Sequence, residues 1–102
     1  MPYIIETFDK PEHQAVRKAA RAAHLEFLDQ NKNLLLACGA KLADDGSDLG
    51  GGLYVVELDT REAAQSFIES DPFFQAGLFE RVSITRWRKA YVAGTSHLPA
   101  AA

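Results

Sequence analysis

Apolar and polar positions along this chain fall into segments whose period switches between that of a strand and that of a helix. Tyr3 to Phe8 is rich in β-branched and aromatic side chains and is followed by Asp9, Lys10 and Pro11, which predicts a first strand and then a break. From Glu12 to about Gln30 there is no Gly or Pro. Val16, Ala19, Ala20, Ala23 and Phe27 recur there at helical spacing, predicting an amphipathic helix whose small residues suit close packing on a sheet. Leu34 to Cys38 is a continuous apolar run ending at Gly39, and its length predicts a buried second strand. The polar, glycine-rich stretch from Asp44 to Gly52 reads as a long flexible connection to a third strand, Leu53 to Leu58.

Thr60 is placed to cap a second helix, with Glu62 in its first turn and Ala63, Ala64, Phe67 and Ile68 on its buried side. Pro72 cannot continue that helix and biases Asp71 towards an extended conformation, so the helix should end near Ser70. Asp71 can then cap a new turn that begins at Pro72. A last strand is predicted over Arg81 to Lys89, where Val82 and Ile84 alternate with Ser83 and Thr85. The order βαββαβ implies a ferredoxin-like α+β sandwich, an antiparallel sheet with two helices on one face. The other face, carrying residues such as Ile4, Val55 and Ile84 or their neighbours, is expected to be closed by a second copy, making a homodimer. We expect one domain over residues 1–91 and a flexible tail over 92–102.

Composition narrows the functional classes. At 102 residues and 47% apolar the chain has material for one core, and a small domain leaves surface for a partner subunit to cover. A net charge of −3, with dispersed basic residues, argues against nucleic acid or an anionic membrane surface as partner. The N-terminal apolar stretch is interrupted by Glu6 and Asp9, so neither a secretory signal nor a membrane span is expected. Cys38 is the single cysteine and has no thiol to pair with, which fits a cytoplasmic location.

Few residues carry candidate chemistry. His24 is expected at the edge of the first helix's apolar stripe, on the side that carries Arg17 and Arg21, from where it can reach a carboxylate on another element. If Asp71 accepts from one imidazole nitrogen, the other is free as a general base. Read from residues alone, the commoner role for Asp71 is only that of a cap and for His24 that of a satisfied boundary histidine. Arg21 suits an anionic substrate or a developing enolate, or else a solvated helix surface. Cys38 reads as inert packing at a strand end, and His13 and His97 form no metal-ligand spacing with His24. Gly50 to Gly52 lacks the lysine and following helix of a phosphate loop. Of Phe73, Phe74, Leu78 and Phe79, only Phe73, near Asp71, is assigned to a site, the others to the core.

The segments RAAHLEFL from Arg21 and SDPFFQAGLFE from Ser70, flanking GGLYVVELDTREAAQSFIE, resemble the YciI-like family over roughly residues 1–91. That family carries Arg-x-x-His on the first helix and Asp-Pro-aromatic after the second, in a ferredoxin-like domain of the dimeric α+β barrel type that pairs through its sheets. The resemblance implies a catalytic dyad of His24 and Asp71, with Arg21 and Gly39 matching further motif positions. Ala40 stands where proline is common after that glycine, and Phe73 where tyrosine is frequent. One family relative is a dehydrochlorinase acting on a chlorinated hydroxyquinol. The implied activity is proton transfer on a cyclic or aromatic small molecule, by elimination or isomerisation, needing no cofactor and no metal. The alternatives are a noncatalytic ligand-binding or accessory dimer and a monooxygenase-like enzyme of similar architecture.

Overall fold

The computed structural model describes residues 1–100. Four strands, β1 (Tyr3–Asp9), β2 (Leu35–Leu42), β3 (Asp48–Val56) and β4 (Phe79–Arg86), form one sheet in the order β2-β3-β1-β4. Every neighbouring pair is antiparallel. Helix α1 (Gln14–Gln30) joins β1 to β2 through a short 3₁₀ turn at Lys32–Leu34, and α2 (Arg61–Glu69) with the four-residue α3 (Pro72–Gln75) joins β3 to β4. This is the expected ferredoxin-like α+β sandwich, with the helices on one face. Among the described residues no helix is long and apolar enough to cross a membrane.

Alternation along the central strands builds the core. Tyr3 and Ile5 of β1 lie opposite Val56 and Tyr54 of β3, and all four are buried on the helical side. Ala64, Phe67 and Ile68 of α2, spaced i, i+3, i+4, complete the cluster. Burying side chains of the Phe or Ile class stabilises by about 1.5–3 kcal/mol each. The N-terminus of α2 is held as anticipated, since the Thr60 hydroxyl accepts from the Ala63 N–H at 3.1 Å and Glu62 lies in the first turn.

Several local expectations are revised. Strand β2 lies at the sheet edge, and Ala37 to Ala40 are exposed rather than buried. Gly39 sits inside that strand, opposite Leu53, not after it. The apolar run marked the strand but not its place in the sheet. The connection to β3 is only the five residues 43–47, because Gly50, Gly51 and Gly52 belong to β3. The last strand begins two residues earlier than expected and ends at Arg86, with Ile84 on the helical side and Ile4 and Val55 on the opposite one. On α1, Ala19 and Ala23 are exposed, while Val16, Arg17, Ala20, Phe27 and Leu28 are half-buried and His24 is buried. His24 is therefore at the centre of the packed face rather than at its edge. Alanine tolerates either side of a helix, so the small-residue stripe was a weak guide. Tyr91–Val92 and Thr95–Ser96 pair as a small hairpin, β5 and β6, in the stretch expected to be a loose tail.

The glycines of β3 have a steric cause. Gly51 has φ +145°, and a Cβ there would fall 2.0 Å from the Thr7 carbonyl oxygen of β1. Nothing lies within 4 Å of the equivalent position at Gly39. In urea denaturation, Gly51→Ala is expected to lower stability by more than about 2 kcal/mol. Gly39→Ala should change it by less than about 1 kcal/mol. Equal losses at the two sites would contradict the close approach of β1 and β3.

Candidate active site at the contact of the first and third helices

The chain break between α2 and α3 builds the centre of the site. Asp71 is extended, with φ −68° and ψ 129°, and Pro72 occupies the first position of α3. Asp71 Oδ1 accepts the Phe73 N–H at 2.8 Å, so the cap predicted from sequence is made. The same carboxylate, fully buried, also accepts the Tyr54 hydroxyl on Oδ2 at 2.8 Å. His24 Nδ1 lies 2.9 Å from both carboxylate oxygens. A carboxylate only accepts, so Nδ1 is the protonated nitrogen and Nε2 is left to meet a molecule in the adjoining cleft.

Aromatic packing fixes the imidazole plane. His24 stacks on Phe73 with centroids 3.9 Å apart and planes 15° apart, and meets Tyr54 edge-on at 6.3 Å. The Arg17 guanidinium also lies over the Phe73 ring, 4.6 Å from its centroid. Asp9 holds Arg17 with two hydrogen bonds, of 2.7 and 3.1 Å. Burial works against the Arg17 cation, but the hydrogen bond and charge of Asp9 outweigh it, and the guanidinium is held more firmly charged than usual. Burial, and then the negative charge and hydrogen bond of Asp71, push the Tyr54 phenol far above its ordinary range, so Tyr54 remains a donor. Among the described residues no buried side-chain polar atom lacks a partner.

Beside this network lies a cleft of about 230 Å³. Arg17, Arg21, His24 and Phe73 line it on one side and the small residues Cys38 and Gly39 of β2 on another. Its volume is below the roughly 300–1,000 Å³ of sites for drug-sized ligands and suits a molecule of about one ring.

All five residues singled out from sequence meet here: His24 and Asp71 in contact, and Arg21, Gly39 and Phe73 on the cleft wall. Phe73 is almost fully buried and contributes a ring face for His24 more than an open surface. Two residues were not singled out. Arg17 could have been, since it lies seven residues before His24 and therefore on the same helical face. Tyr54 could not, because only strand register turns its hydroxyl towards Asp71. His13 is turned to the Pro11 carbonyl at 2.8 Å, and among the described residues no three His, Cys, Asp or Glu side chains converge as metal ligands.

The YCII-related domain matches residues 1–88 of the chain. Protein YciI of Escherichia coli O6:H1 is 33% identical over 98 residues, covering 89% of this chain and 100% of that protein. An uncharacterized protein of Haemophilus influenzae is 30% identical over the same shares. Among solved structures, 5-chloro-2-hydroxyhydroquinone dehydrochlorinase from Burkholderia phenoliruptrix, in complex with 2,5-dihydroxybenzoquinone, has a TM-score of 0.79 and 33% identity. That similarity covers 86% of this chain and 94% of the dehydrochlorinase.

Cys38 lines the cleft, and its electrostatics separate it from nucleophilic chemistry. The residue as a whole is exposed on the edge strand, yet desolvation of its sulfur, with the charge of Asp71 second, pushes the thiol up to about 11. The thiolate is thus scarce at neutral pH. Alkylation by iodoacetamide, followed by mass spectrometry, should be slow at pH 8, rise about tenfold per pH unit and level off only near pH 11. Rapid labelling at pH 7.5 would refute this account of the cleft wall.

Proposed function

We propose that this chain, which belongs to the YCII-related domain family, is a small-molecule enzyme in which His24, oriented by Asp71, moves a proton on a cyclic or aromatic substrate. The observation that carries the reading is the buried His24–Asp71 contact of 2.9 Å at the wall of a one-ring cleft. Asp71 fixes the tautomer and steadies the imidazolium that forms, and Nε2 accepts the proton. In an elimination, the electron pair left by that proton builds the new π bond while the leaving group departs with its own pair. In an isomerisation the proton is returned to a different atom. Arg21 holds an anionic oxygen or the developing enolate, Phe73 supports the imidazole, and Gly39 leaves room for the ring. The similarity to a dehydrochlorinase supports elimination as the first reaction to assay. No step needs a cofactor.

The working unit in this proposal is a homodimer paired through the open sheet face, where Ile4 and Leu53 supply apolar surface. Sedimentation at micromolar concentration should give twice the chain mass, and a monomer would remove this part of the reading.

Chloride release from 5-chloro-2-hydroxyhydroquinone is the direct assay, with a panel of other one-ring phenols beside it. His24→Ala is expected to lower turnover by about 10²–10⁴-fold, and Asp71→Asn to lower it substantially while the fold persists. Turnover undiminished by His24→Ala would sink the proposal. Tight binding of 2,5-dihydroxybenzoquinone with no turnover across the panel would favour a noncatalytic binding dimer instead.

A further inference from the structure

The position of Tyr54 carries one more step. Its ring belongs to the core, meeting Phe67 edge-on at 6.3 Å, and a phenylalanine would fill that space equally well. The hydroxyl needs a separate explanation. It is buried with its residue at 2% exposure and donates to Oδ2 of the one carboxylate that His24 also uses. Asp71 therefore divides its acceptor capacity among three donors: the Phe73 N–H, which the α3 cap requires, the His24 Nδ1–H, and the Tyr54 O–H. Each hydrogen bond to a carboxylate disperses part of its charge, so a donor added at one oxygen weakens the pull exerted on the others.

We propose that Tyr54 is a positioning residue of this site, whose hydroxyl moderates the hold of Asp71 on the His24 imidazole and so sets how readily Nε2 gains and releases a proton. With Tyr54 in place the carboxylate orients the ring without trapping it as imidazolium, as a base that must release its proton in each cycle requires. Without the hydroxyl, Oδ2 would keep only His24 as a side-chain partner, and the imidazolium would be held more tightly. This inference rests on the reading of His24 as a proton carrier, but it concerns the resting protein and is tested without substrate.

The test is an NMR titration of the full-length protein, following the ring ¹⁵N and ¹H signals of His24 in the parent and in Tyr54→Phe. The other charged or titratable groups of the site are Arg17 with Asp9, Arg21, Cys38 and Asp71, and none of them changes between the two proteins. The His24 midpoint in Tyr54→Phe is expected to rise by about half to one pH unit, with Nδ1 remaining the protonated nitrogen in the neutral form. A second protein keeps the proposal testable should Tyr54→Phe fold poorly. Site-specific incorporation of 3-fluorotyrosine at position 54 alone preserves the shape and strengthens the phenolic donor, and the midpoint is expected to fall. Opposite shifts in the two proteins support the role of the hydroxyl. An unchanged midpoint, or shifts of the same sign in both, would overturn it and leave Tyr54 as core packing. Absence of turnover in the parent on every substrate would count against the enzyme reading while leaving the titration result intact.

Discussion

Burying a carboxylate is costly unless donors replace the water it loses, and Asp71 is such a group, with no exposed surface. Its three partners come from three parts of the fold: the backbone of α3, a tyrosine of the central sheet and a histidine of the long helix. Removing any partner leaves acceptor capacity facing an interior that cannot supply water, so the contact of α1 with α3 and the sheet is specific as well as cohesive. The hydrophobic cluster beneath it, centred on Ile5, Val56 and Ile68, drives collapse but would tolerate small changes of helix rotation. The Asp71 network would not. It places the imidazole on the Phe73 ring with one nitrogen turned to the carboxylate.

That constraint links the core to the cleft. The network's inner side, Tyr54 and Asp71, belongs to the interior, and its outer side, His24 and Phe73, forms part of the cleft wall. Arg17, anchored by Asp9 from the end of β1, extends the same arrangement across the Phe73 ring. Rigid packing of this kind suits a site that must hold a proton acceptor in one orientation. The edge strand β2 contributes by what it lacks. Cys38 and Gly39 are small, and space for a ligand remains beside the imidazole. The thiol in that wall is kept protonated by its surroundings.

Much of this was legible along the chain. The β-branched and aromatic run of β1, alternation in β4, the Thr60 cap, the Asp71–Pro72 break and the uninterrupted helix before Gln30 are local features with local causes, and their order is enough to imply the sandwich. The Asp71 cap was readable because the residues it needs are adjacent. Less legible were the exposure of β2 and the role of Gly50 to Gly52. Edge position depends on which strands pair, and the glycine requirement at position 51 comes from a carbonyl of Thr7, 44 residues earlier. The buried face of α1 is turned by one helical position from the alanine stripe, because Ala19 and Ala23 carry little preference for either environment.

The sequence by itself determined the elements and their order, because capping, proline restriction and hydrophobic period act over a few residues, and its resemblance to the YciI-like family is what set His24 and Asp71 apart. Only the tertiary structure decided that His24 is the buried centre of its helix, that Tyr54 answers the second carboxylate oxygen and that Arg17 lies over Phe73. Those facts depend on strand register and helix docking, which bring together residues far apart in the chain, as the separation of 47 positions from His24 to Asp71 illustrates. No local propensity encodes such a distance. It is set when the whole sheet closes on its helices and a buried charge must find its donors.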